Sequence, residues 1–128
     1  DPYDEALERL QTLRAVISDG GGREAYLGVW EMARRLIDRT CLIPAPEMST
    51  SELLRAVKKM ENKPAQEWTE ALTYLLRSTD RVKYARHQPR EADSEALLDE
   101  AGRWINATKV WLAPSDTDKI DSEPEAGR

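Results

Sequence analysis

The chain has 128 residues, the length of a single domain, and sets a hydrophobic fraction of 40% beside a charged fraction of 34%, with only 6 glycines and no phenylalanine. That balance suits amphipathic helices around one modest core rather than a β-sandwich. A formal net charge of −5 argues against general nucleic-acid binding, which draws most of its affinity from phosphate neutralisation, and leaves room only for a local basic patch.

Asp1 followed by Pro2 has the cap-then-proline order of a helix start, and Ala6, Leu7, Leu10, Leu13 and Ile17 recur at three-and-four spacing. This first helix ends at "SDGGGR", where glycines supply the left-handed turn. From Arg23 a second stripe runs through Tyr26, Val29, Trp30, Ala33, Leu36, Ile37 and Cys41, with Glu31, Arg34, Arg35 and Asp38 expected to face outward. Two prolines in "LIPAPEM" predict an extended connection over Leu42 to Met48. Ser49 with Glu52 three residues on is a capping-box pattern that opens a short third helix through Leu53, Leu54, Val57 and Met60.

Pro64 is expected in the first turn of a fourth helix whose face is Trp68, Ala71, Leu72, Leu75, Leu76, Thr79 and Val82, reaching about Ala85. "RHQP" closes it. A fifth helix follows from Arg90 or Glu91 to Leu112, striped by Leu97, Leu98, Ala101, Trp104, Ile105, Thr108 and Trp111. The expected fold is all-α, an irregular five-helix bundle over residues 1–113. Residues 114–128 have one large apolar side chain, Ile120, and are expected to form a disordered acidic tail.

Catalytic chemistry finds little to work with. One histidine and one cysteine give no zinc or calcium spacing, and no cofactor motif is present. Cys41 has no disulfide partner, which points to a reducing compartment and a core position. His87 sits where a helix ends beside Pro89, a place suited to helix-terminal hydrogen bonding rather than to a catalytic triad. Carboxylate pairs such as Asp4 and Glu8, or Glu95 and Asp99, read as solvated helix faces, and the triple glycine reads as a turn. The four tryptophans fall in the apolar stripes, with Trp111 the one expected to be partly exposed and available to a partner.

Between Arg77 and Arg90 the sequence concentrates five bases, Arg77, Arg81, Lys83, Arg86 and Arg90, against the single acid Asp80. Helix C-termini favour such bases, each by roughly 0.3–1 kcal/mol, so structure accounts for part of the cluster. The remainder suits an acidic protein partner, a lipid headgroup or a nucleic acid. Asp80 is expected to pair with Lys83 or Arg77, or to cap a neighbouring helix. Val82 and Tyr84 are expected on the core side, with Tyr84 filling the junction of the fourth and fifth helices.

The ordered set "GREAYLGVWEMARRLIDRTCLIPAPEMSTSELLRAV", "LTYLLRSTDRVKYARHQP" and the long last helix ending "AGRWINAT" resembles the cytoplasmic helical domain of membrane-anchored bacterial proteins encoded beside MoxR-type AAA+ ATPases and von Willebrand factor A proteins. That group includes the aerotolerance (Bat) proteins. The resemblance spans roughly Asp1 to Thr108 and rests on the helix Tyr26 to Arg39 with "IPAPEMSTSELL", on Asp80, Val82, Lys83, Tyr84 and Ala85, and on Pro89. Phenylalanine is commoner in the family where Tyr84 stands, and cysteine or alanine near Ser78 or Thr79. It implies a transmembrane helix upstream of Asp1 and a domain on the cytoplasmic face of the bacterial inner membrane. Its implied role is non-enzymatic, working with the ATPase and the von Willebrand partners in envelope protein maturation or stress tolerance, and it transfers no catalytic residue. The alternative is an anion-, nucleic-acid- or acidic-lipid-binding module built on the five bases.

Overall fold

The computed structural model describes residues 1–114, so residues 115–128 and the tail expected there lie outside the described residues. Five helices form in the expected order: α1 (Pro2–Ile17), α2 (Gly22–Cys41), α3 (Thr50–Lys58), α4 (Gln66–Ala85) and α5 (Glu91–Leu112). No strand occurs among the described residues. Helix α2 is the hub, packing on α1, α4, α5 and the segment that leads to α3. Its Val29, Ala33 and Ile37 meet Leu10, Leu13, Leu72, Leu75, Leu97, Leu98 and Ile105 in one continuous core.

Local chemistry fixes the helix starts. Asp1 Oδ1 accepts from the Tyr3 and Asp4 amides at 2.7 and 3.2 Å. At α3 the capping box closes in both directions, with Glu52 N–H donating to Ser49 Oγ (3.2 Å) and Ser49 N–H donating to Glu52 Oε1 (2.9 Å). Those bonds from Ser49 hold the Glu52 carboxyl below the usual carboxylate range. A depressed folded-state value means the stabilisation is complete above the unfolded value and lost as pH falls through the folded one. Thermal melts of Glu52→Ala and the parent chain should therefore differ at neutral pH and converge as pH drops below about 4. A gap that stays constant into acid would contradict the charged cap.

Two expectations about connections change. Pro64 precedes the N-cap Ala65 instead of opening the helix, so α4 begins two residues later than the proline. The Leu42–Met48 connection contains a 3₁₀ turn, Ala45–Glu47, because Ala45 is drawn fully into the core and the chain must curl to deliver it. Cys41 lies half-buried at the end of α2 rather than inside the core, and its partial burial raises the thiol above its ordinary value.

Helices α1 and α2 meet closely at Gly28, where a Cβ would lie 2.6 Å from both Leu13 methyl carbons. Leu13 is itself 1% exposed, so it must move within the packed α1–α2 interface to make room. Gly28→Ala should consequently destabilise the fold by roughly 1–3 kcal/mol despite the better helix propensity of alanine, measured by chemical denaturation. An unchanged midpoint would mean that the interface yields.

Candidate functional site

The basic segment forms the corner between α4 and α5, and two anchors hold it. From the start of α2, Arg23 Nη1 donates to the Val82 carbonyl at 2.6 Å, satisfying a carbonyl near the end of α4. Pro89 packs at the same place, since a Cβ on Gly22 would fall 3.5 Å from its Cγ and 3.0 Å from Ser94 Oγ. Arg86 ends α4 in the left-handed region at φ 55°, and the amides of Arg86 and His87 both point back to the Arg81 carbonyl. This is a Schellman-type stop, built without the glycine that usually fills it.

Arg77, Arg81, Arg86, His87 and Arg90 are all exposed at this corner or on the helix leading to it. Arg90 also serves as N-cap of α5 and reaches Asp93 with Nε at 3.3 Å. Val82 is fully buried, as expected. Tyr84 is not: its ring is 68% exposed. Successive helical residues are separated by about 100°, so residue 84 points some 200° away from the core-facing Val82. The residues that pack beside the start of α2 here are Pro89 and Ser94, not Tyr84. Trp111 is half-buried at the opposite end of α5, roughly 30 Å along the helix from Arg90. There it packs against Trp68 in a tilted arrangement, with ring centroids 4.8 Å apart and planes inclined by 56°, beside a groove lined by Ala65, Ala107 and Val110.

Beneath the corner lies a polar cluster that helix periodicity did not reveal. Asp80 makes no ion pair with Lys83 or Arg77. Its Oδ1 accepts from Trp30 Nε1 at 3.1 Å and its Oδ2 accepts from the Thr50 hydroxyl, so one carboxylate ties α4 to α2 and to the first residue of α3. Neither expected role is met: both donors to Asp80 are side chains, and the start of α3 is capped by Ser49. Thr50 Oγ1 in turn accepts from Arg34 Nη2 at 3.1 Å.

Arg34, expected on the outer face, is 2% exposed. Its guanidinium carbon sits 4.2 Å from the Trp30 ring centroid, one helical turn away, which explains how an arginine occupies this position: the indole covers its cationic plane. Nε and Nη1 are buried without a hydrogen-bond partner. Burial pushes the guanidinium below its ordinary value, with Asp80 and Tyr84 acting in the opposite direction. Lys83 Nζ lies 3.5 Å from the same Trp30 centroid and 5.8 Å from that of Tyr84, linking the hidden cluster to the exposed ring.

Elsewhere a cavity of about 200 Å³ between α1 and α2 is lined by Arg9, Arg35, Arg39, Met32 and Leu36, and Arg39 is paired with Glu5 at its edge. Among the described residues no group of three or more His, Cys, Asp or Glu side chains converges as a metal site would, and no helix is long and apolar enough to cross a membrane. No family model, curated protein or solved structure matches the chain.

Proposed function

We propose that this chain is a non-enzymatic protein interaction domain whose binding face is the α4–α5 corner. The observation that carries the reading is Tyr84, an aromatic residue left 68% exposed beside Lys83, in a segment whose Arg81, Arg86 and Arg90 are also exposed and which Arg23 and Pro89 contact from α2 and the α5 approach. Aromatic and arginine side chains are the residue types that dominate binding hot spots. Following the resemblance, the partners are a MoxR-type AAA+ ATPase and von Willebrand factor A proteins. The full-length protein would be tethered at the cytoplasmic membrane by a helix upstream of Asp1.

Purified ATPase and von Willebrand proteins encoded beside the gene should be retained by the immobilised domain, and Tyr84→Ser combined with Arg86→Ser should abolish retention while leaving the melting temperature close to the parent's. Retention of neither protein by the parent domain overturns the reading. The anion-binding alternative is favoured by the exposure of Arg77, Arg81, Arg86 and Arg90. It requires affinity for nucleic acid or acidic vesicles that falls steeply with salt.

A further inference from the structure

Trp30 carries two cations on one indole. Arg34 Cζ at 4.2 Å and Lys83 Nζ at 3.5 Å from the ring centroid place the charges closer together than the roughly 8 Å Debye length of physiological salt, so they repel one another with little screening. The single carboxylate of the cluster, Asp80, forms no ion pair with either cation; its oxygens accept from the Trp30 N–H and the Thr50 hydroxyl, and it acts on Arg34 only across a longer distance. Arg34 keeps two buried nitrogens without an acceptor. Two cations, Arg34 and Lys83, against the one carboxylate, Asp80, leave the cluster with an excess of positive charge under a surface whose exposed aromatic, Tyr84, adjoins Lys83.

Resting on the interaction reading above, we infer that Lys83, seated on Trp30 and flanked by Tyr84, receives a carboxylate side chain of an acidic peptide segment in the partner, completing the charge balance of the Arg34–Trp30–Asp80 cluster. The acid pairs with the Lys83 ammonium, and an apolar neighbour in the same segment lies on the Tyr84 ring. Arg34 does not touch the ligand. It raises the local positive potential from inside and fixes Trp30, on which Lys83 rests. A short acidic segment fits better than a polyanion here, because the net charge of −5 repels an extended anionic surface while one local site attracts a single acid.

Trp30 supplies its own reporter, since its indole N–H is bonded to Asp80 and its ring bears Lys83. The acetylated peptide Glu-Glu-Leu-Glu-Glu, titrated into the ¹⁵N-labelled domain, should shift the Trp30 indole cross-peak more than those of Trp68, Trp104 and Trp111. Lys83→Met should weaken that binding about tenfold, and Lys83→Arg should largely restore it. Parallel titrations use phosphatidylglycerol vesicles and duplex DNA. A response of Trp30 to vesicles or DNA but not to peptide overturns the inference, as does a peptide affinity unchanged in Lys83→Met. If the purified partner still binds the corner and Lys83→Met leaves that binding intact, the carboxylate site fails while the interaction reading stands. If no partner is retained yet the peptide shifts Trp30 through Lys83, the site stands without its assigned partner.

Discussion

Asp80→Ala should lower the unfolding free energy by roughly 2–4 kcal/mol, more than loss of an exposed acid can explain. Three consequences converge on that figure. The Trp30 N–H and the Thr50 hydroxyl lose an ionised acceptor, the join between α4 and the first turn of α3 is cut, and the buried Arg34 loses the nearest opposing charge. Asp80→Asn retains an oxygen for Trp30 and should fall between the two. Arg34→Met separates the terms: in a double variant the Asp80→Ala penalty should shrink, because no buried cation remains to be left uncompensated. Urea denaturation at constant slope reads the four variants against the parent. A loss below about 0.5 kcal/mol for Asp80→Ala would return the residue to the class of solvated surface acids.

The fold was legible in the sequence wherever one residue's backbone need has one local solution. Asp1 with Pro2 and Ser49 with Glu52 are of this kind, and each cap forms where its spacing places it. Reading failed where two elements share a side chain. Arg34 looks solvated by charge, yet α3 delivers Thr50 to its guanidinium and Trp30 covers its plane. Neither partner is visible in the local pattern. A hint was available: Trp30 and Arg34 stand four apart on α2 and Asp80 and Lys83 three apart on α4, spacings that stack each pair on one helix face. Tyr84 failed for another reason. Alternation in "VKY" tempts a core assignment for both Val82 and Tyr84, but a helix cannot turn residues two apart to the same side. The outcome matters for function, because the ring removed from the core is the one that supplies the exposed face of the corner.

At the other end of the α4–α5 pair, Trp104→Ala should cost about 3–5 kcal/mol, while Trp104→Phe should cost under about 1.5. Trp104 is 1% exposed and its ring centroid lies 5.5 Å from that of Trp68. Trp68 Nε1 donates to Thr108 Oγ1 at 2.8 Å, and that hydroxyl donates to the Trp104 carbonyl at 2.7 Å, so the two helices are locked through rings and hydroxyl together. Truncation to alanine leaves a void that these constrained neighbours cannot fill. Phenylalanine keeps most of the volume and removes an indole N–H that is buried without a partner, which offsets part of the lost contact. Equal losses for the two variants would show that the nitrogen has a partner after all. Trp111→Ala, at a half-buried position against Trp68, should cost less than Trp104→Ala and should leave binding at the α4–α5 corner unchanged, since roughly 30 Å of helix separates the two. Loss of partner binding in Trp111→Ala with stability preserved would move the interaction face from the corner to the groove beside Val110.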